Sequence, residues 1–285
     1  MVILTSLKGF AQIEPLYTMY RYNPLVISPA FAGYDSTKSI TAMSRMQWLG
    51  IDGAPTTFGV TGNFAFKQKQ GLGFNILQDK VGPMKSTTVG FDYGYHVKLA
   101  KNLRLSGGIR AGFTNYNVNL SGLRLITVDD PNFGQSVTTG LQPNLGWGIS
   151  LNTDKFFLSI SEPRVFRNNF NKYDKSAKYR DYGHFYGMIG IKKRISKNIE
   201  LKPTIMLRMM KNAPLSWDVN ALATIKERLD VGLTYRHEDS FGMQLGYLVS
   251  KKLYLGYIFE YPTSNIKAAT NQTHELALKF LFGKN

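Results

Sequence analysis

Apolar residues in this chain recur at every second position, and the longest uninterrupted case runs over residues 89–99. Val89, Phe91, Tyr93, Tyr95, Val97 and Leu99 form one face, while Gly90, Asp92, Gly94, His96 and Lys98 form the other. A period of two is that of an extended strand, whose side chains alternate between faces. The pattern persists to the end of the chain, where Leu276, Leu278, Phe280 and Phe282 oppose Glu275, Ala277 and Lys279. A strand of this kind either hides its apolar face under a second layer or shows it to lipid.

Composition narrows that choice. Charged residues make up 19% of the chain and aromatic residues 13%, with 27 glycines; soluble domains usually carry roughly 25% charged residues. No segment approaches the roughly 20 consecutive apolar residues of a spanning helix, so only a barrel of strands could cross a membrane. A mean hydropathy of −0.19 is compatible with that, because a barrel has a polar interior and polar loops. The absence of cysteine excludes a disulfide framework, thiol catalysis and thiolate-ligated zinc. A net charge of +16 admits nucleic acid as a partner, and the placement of the cations argues against it.

Alternation predicts about fourteen antiparallel strands, over residues 38–48, 55–66, 71–78, 87–99, 103–117, 143–151, 156–161, 182–194, 199–210, 215–225, 229–236, 241–249, 253–261 and 274–282. Most have about the 9–11 residues that a tilted strand needs to cross a bilayer, and bacterial barrels have even strand numbers. The connections give an independent test. Those after even-numbered strands are all tight, whereas the long ones, residues 121–142, 162–181 and 262–273, all follow odd-numbered strands. Short turns on one rim and long loops on the other is the arrangement of an outer-membrane barrel, with the short side periplasmic. It places both chain ends in the periplasm. A soluble β-sandwich supplies no reason for such asymmetry.

The short rim collects Lys67, Lys69, Lys101, Lys155, Lys197, Lys226, Arg228, Lys251 and Lys252. Such a ring suits anionic headgroups or an acidic periplasmic partner, with no nucleic acid needed. Trp48, Tyr95, Trp217, Tyr247, Tyr257 and Tyr261 fall on or near the apolar faces, where interfacial girdles belong. The other faces carry Arg45, Asp92, Lys98, Arg104, Arg110, Lys202, Arg208, Asp218, Asp230, Arg236, Glu260, Glu275 and Lys279. These charges either pair to brace a filled lumen or line a polar conduit. Bulky Met43, Met206, Met210 and Tyr254 point the same way and favour filling.

Residues 1–11 are expected to be a shortened signal peptide, with small residues at Gly9 and Ala11 setting a cut before Gln12. Residues 12–36 then form an N-terminal segment placed in the lumen or at the periplasmic mouth, and residues 37–285 form the barrel. Pro24 and Pro29 cannot donate to a ladder and bias Asn23 and Ser28 toward extended conformations, so this segment is read as an ordered piece that is not a strand.

Several motifs follow one another in order. They are Asn23-Pro24, with Ser28-Pro29-Ala30-Phe31-Ala32-Gly33; Arg45, Trp48, Gly50, Gly53, Ala54 and Pro55; Asp79-Lys80-Val81-Gly82-Pro83; Pro214, Leu215, Trp217, Asp218 and Asn220; Tyr261-Pro262-Thr263-Ser264; and His274-Glu275-Leu276. This series resembles the PorP/SprF family of outer-membrane proteins of the type IX secretion system, with Ser28 standing where that family usually has Asn. The resemblance spans nearly the whole mature chain. It implies a barrel in the outer membrane that associates with periplasmic parts of the secretion machinery, including a peptidoglycan-linked lipoprotein. It also implies a role in export or surface attachment of secreted cargo such as adhesins of gliding motility. The motif residues Asn23, Pro24, Pro29, Ala30, Gly33, Arg45, Trp48, Gly53 and Pro55 become candidate partner contacts, with turn formation and rim anchoring as the plainer uses.

Catalytic signals are missing. The four histidines lie on separate strands or strand ends, and no nucleophile elbow or metal-spaced histidine pair occurs. An inward His96 or His184 meeting Asp92, Asp218 or Asp230 is the one arrangement worth checking. No enzyme activity, metal or cofactor is expected. The alternative use of the same barrel is a passive porin or small-molecule transporter.

Overall fold

The architecture is that of a computed structural model, which describes residues 18–35, 37–66, 69–119, 137–166, 183–270 and 272–283. No helix among them is long and apolar enough to cross a membrane. The strands are β1 Lys38–Met46, β2 Thr56–Phe66, β3 Gln70–Val81, β4 Met84–Ala100, β5 Leu103–Val118, β6 Val137–Thr138, β7 Gln142–Thr153 and β8 Phe156–Glu162. They continue with β9 His184–Ile191, β10 Lys193–Ser196, β11 Ile199–Met210, β12 Ser216–Ile225, β13 Leu229–Arg236, β14 Ser240–Ser250, β15 Leu253–Pro262 and β16 Thr273–Phe282.

Neighbours in sequence pair antiparallel, and β16 returns to pair with β1 from Lys38↔Phe282 to Met46↔His274, so the sheet closes on itself. The short β6 pairs only with the end of β5. Strands β9 and β10 both lie along β11 and make one wall element interrupted at Lys192. Fourteen strands therefore cross the wall among the described residues.

The burial pattern is that of a soluble protein turned inside out. Along β13, Leu229, Val231, Leu233 and Tyr235 are exposed, while Asp230, Thr234 and Arg236 are buried. Phe91 and Ile109, near the middle of the wall, are each 62% exposed, and polar Asn75, Asn220 and Gln244 are fully buried. Apolar groups left facing outward around a closed sheet have lipid as their partner, because closure leaves no second layer to cover them.

Three local departures from simple alternation have visible causes. Pro203 in β11 lacks an N–H, and the ladder toward β9 and β10 breaks opposite it, between Thr204↔Gly190 and Lys193↔Leu201. Strand β1 ends at Met46 rather than continuing to Trp48, which takes a left-handed backbone with φ of 53°. There the Gln47 N–H turns to the Pro55 carbonyl and the Trp48 N–H to Thr273 Oγ1. Strands β3 and β4 run farther than their alternation suggests, to a tight tip at Gly82 and Pro83, because Asp79 and Ser86 continue the pairing.

One rim holds connections of three residues or fewer, between Phe66 and Gln70 and at residues 101–102, 154–155, 197–198, 226–228 and 251–252; the other carries every longer connection. Residues 18–35 lie inside the barrel as three 3-10 turns, Met19–Arg21, Pro24–Val26 and Pro29–Phe31. The expected signal over residues 1–11, Lys67 and most of the loops 121–142 and 162–181 lie outside the described residues.

An outward charge at mid-wall should be costly. Phe91→Arg is expected to lower folding free energy by about 2–4 kcal/mol, against less than about 1 kcal/mol for Phe282→Arg at the rim, measured by urea titration in phospholipid vesicles.

Candidate functional site

The feature that stands out is the seat of residues 18–35 within the lumen. Asn23 and Ser28 precede prolines and adopt extended φ values of −143° and −146°, and each proline then starts a 3-10 turn. The resulting zigzag puts Leu25, Val26, Ile27, Ala30, Phe31 and Ala32 against the wall, all buried. Tyr20, Ile27 and Phe31 pack with Phe157, Tyr186, Met188 and Met206 on one side. Met19 and Tyr22 pack with Leu222, Ile258 and Ala277 on another.

Glycines make room for the turns. A side chain at Gly71, Gly94 or Gly108 would collide with the backbone of Ala32 or Pro29, and one at Gly148 with Ser28 Oγ. Gly33 has a left-handed φ of 65° and lies against Gly71, so it needs both glycine's backbone freedom and its lack of Cβ. Its N–H donates to Asn63 Oδ1 at 2.6 Å.

Charged groups clasp the same segment. Arg45 on β1 donates to Glu275, directly opposite on β16, and to Glu260 on β15 at 2.8 Å. Glu275 accepts the backbone N–H groups of Thr18 and Met19 at 3.0 Å each, and Glu260 accepts from the Thr18 hydroxyl. Arg236 donates to Thr18 Oγ1 at 2.8 Å and pairs with Asp239 at 2.9 Å. Asp218 takes Arg208 at 3.0 Å and the Tyr20 hydroxyl at 2.6 Å. Burial raises the Tyr20 pKa well above its usual value, and the adjacent Asp218 charge adds to the shift, so this hydroxyl stays a donor.

A second clasp lies farther round the wall, on β4 and β5. Arg110 pairs with Asp92, opposite it on β4, at 2.6 Å, and donates to the Leu25 and Val26 carbonyls at 2.5 and 3.0 Å. Near the short-turn rim, Arg104 donates to the Tyr34 carbonyl at 3.0 Å and Lys279 to the Tyr22 carbonyl at 3.3 Å. Lys98 has the same inward parity but is exposed at that rim. The arrangement can hold a peptide segment in a tube. Both ring nitrogens of His96 are occupied, by Ser106 Oγ and the Ala32 carbonyl. Asp92, Asp218 and Asp230 are held by Arg110, Arg208 and Tyr254. No group of three or more potential metal ligands occurs among the described residues.

The sequence motifs separate into two places. Asn23, Pro29, Ala30, Gly33 and Arg45 are buried, and Asn23 donates to Thr61 Oγ1 at 2.8 Å. In this conformation they brace the interior. Gly53, Pro55 and the half-buried Trp48 sit at the long-loop rim, where the Gly53 carbonyl accepts from the Gly82 N–H at 2.8 Å and ties two motifs together. Lys69, Lys101, Lys155, Lys197, Lys226, Arg228, Lys251 and Lys252 are all exposed on the short-turn rim. Thr18, Tyr20, Asn63 and Ser161, which donates to the Ile27 carbonyl at 2.8 Å, had no signal of their own in the sequence. The inward glycines at Gly71, Gly94, Gly108 and Gly148 were the trace from which a close-lying segment could have been inferred.

A model of type IX secretion system membrane proteins PorP/SprF matches residues 9–280. The chain belongs to the PorP/SprF family. Among solved structures the barrel is similar to the outer membrane protein Omp33 of Acinetobacter baumannii, at 12% identity and a TM-score of 0.50, covering 86% of this chain and 98% of that one. It is also similar to the toluene transporter TbuX of Ralstonia pickettii, at 9% identity and a TM-score of 0.52, covering 90% of this chain and 92% of that one. At such identities the likeness concerns the fold, which is that of an outer-membrane β-barrel. No curated protein sequence matches the chain. Family membership makes this barrel a membrane component of the type IX secretion system, in contact with lipid and with the secretion machinery in general.

The Arg45 clasp gives a direct test. Arg45→Ala leaves Glu260 and Glu275 buried without their main counter-charge, and is expected to cost about 3–5 kcal/mol; equilibrium unfolding of the refolded barrel in detergent measures it.

Proposed function

We propose that this PorP/SprF barrel is a non-enzymatic, internally plugged docking component that helps export or surface attachment of secreted cargo. The observation that carries this reading is the chain's own segment lodged in the lumen, with cavities of about 80 and 280 Å³ on its two sides. With residues 18–35 seated in the interior and bonded to β2, β5, β8, β12, β13 and β16, the wall works as a platform and recognition falls to the rims.

In this reading the short-turn rim faces the periplasm, both ends of the chain lie on that side, and the exposed lysines and arginines dock an acidic face of the machinery, such as a peptidoglycan-linked lipoprotein. The acidic residues in those turns, Asp154 and Glu227, are few beside the cations. The Arg194–Glu227 pair, at 3.6 Å and exposed, neutralises little. Lys226 and Glu227 both hold left-handed backbone, with φ of 48° and 56°, at a turn where Asn-Gly would be easier. Strain of that kind fits a turn kept for the side chains it displays. The long loops 121–142 and 162–181 then meet cargo outside the cell, with large adhesins of gliding motility as the class the family suggests. A porin or small-molecule transporter would instead need the lumen that the segment occupies.

Reversing the rim charge separates docking from folding. With Lys226→Glu, Arg228→Glu, Lys251→Glu and Lys252→Glu combined, the barrel is expected to insert normally while cargo at the cell surface falls severalfold, as read by surface labelling and quantitative proteomics. Unchanged cargo levels would remove the rim from the mechanism.

A further inference from the structure

At the long-loop rim, on the outer side of the wall, Lys80 on β3 lies directly opposite Lys85 on β4. Both are exposed. Like charges facing each other across a strand pair are destabilising unless something sits between them. Neither lysine forms an ion pair among the described residues. Asp79, beside Lys80 in sequence, points inward and accepts from Thr57 Oγ1 at 2.6 Å. Asp52 lies in the connection that touches this hairpin through Gly53 and pairs with neither lysine.

The same register row continues through Thr56 on β2 and Asn117 on β5. The row below it is Phe58, Gln78, Thr87 and Asn115, and the next is the wholly apolar Val60, Ile76, Val89 and Phe113. A groove of about 420 Å³ opens at the rim end of these rows, lined by Thr56, Lys80, Lys85 and Asn117 of the first row and by Phe58 and Gln78 of the second, and the apolar row lies beyond it.

Height along the wall agrees with this grading. Lys85 is six residues from mid-wall Phe91, which is roughly 20 Å along a strand and about 15 Å along the membrane normal at the usual tilt. Half of the apolar band is about 12 Å, so the lysine pair stands at headgroup level. Paired strands hold opposed Cβ atoms about 5 Å apart, a separation at which one phosphate group can meet both ammonium groups.

We propose that Lys80 and Lys85 form a binding site for the phosphate of an outer-leaflet glycolipid of the lipid A class, whose acyl chains lie on Phe58, Ile76 and Val89. The polar-to-apolar grading selects a lipid over a free phosphate or a peptide. The assignment to the outer leaflet rests on the orientation given under Proposed function.

Native mass spectrometry of the folded full chain, titrated with bisphosphorylated lipid A, dephosphorylated lipid A, phosphatidylglycerol or inorganic phosphate, tests the site. Lipid A should bind the unmodified protein and bind Lys80→Gln/Lys85→Gln about thirtyfold more weakly. Lys211→Gln/Lys267→Gln, which removes two other exposed lysines of the same rim, should leave binding unchanged. Equal losses in the two double variants, equal binding of dephosphorylated lipid A, or equal binding of inorganic phosphate would overturn the site. Preference for phosphatidylglycerol at the same lysine pair would overturn the leaflet assignment, and with it the orientation in the docking reading. Loss of the site with lipid A binding retained elsewhere would leave that reading standing.

Discussion

Closure of this barrel and retention of its plug depend on the same buried ion cluster. Arg45 and Glu275 face each other across the seam where the first strand meets the last; both are almost fully buried, at 3% and 2% exposure. A buried pair is worth little unless its remaining hydrogen-bonding capacity is filled. Here most of that capacity is met by Glu260, by Thr18 and by the Met19 N–H, all from outside the seam, with Arg45 Nε left over. The plug thus completes the solvation of the charges that fasten the seam, and the seam supplies acceptors for backbone groups that the plug's short 3-10 turns leave unpaired.

That coupling explains why the lumen is polar and yet obstructed by the chain's own segment. An aqueous channel would let water satisfy Arg45, Asp92, Arg208, Asp218, Arg236 and Glu260. In this chain the partners are mostly other residues: Arg110 bridges Asp92 to the Leu25 and Val26 carbonyls, and Asp218 joins Arg208 to Tyr20. With the interior committed, surfaces free to act are the lipid-facing wall and the two rims, and these differ in character. The short-turn rim is a ring of exposed cations, whereas the outer wall grades from aromatic and aliphatic groups to the paired lysines of the β3–β4 hairpin.

Much of the wall could be read from the sequence because lipid imposes a strict rule on every second residue. Val89 to Leu99 and Leu229 to Tyr235 follow it without exception, and register then follows from alternation and tight turns. Where the rule failed, a backbone constraint intervened, as at Pro203, which lacks a donor, and at Trp48, which turns left-handed. The inward charges were legible as a set, but their pairing was not, since Asp218 could meet any of several arginines until the curvature of the wall was known. The seat of residues 18–35 was harder still. The prolines marked the segment as ordered and not a strand, but its contacts come from strands across the barrel and its clearances from glycines more than thirty positions away, as with Gly33 against Gly71.

Planar-bilayer conductance most directly tests the claim that the interior is closed by the chain's own N-terminal segment. No stable channel is expected for the purified full chain, and a steady ohmic channel is expected when residues 18–35 are deleted from a barrel that still folds. A stable open channel in the full chain would contradict it.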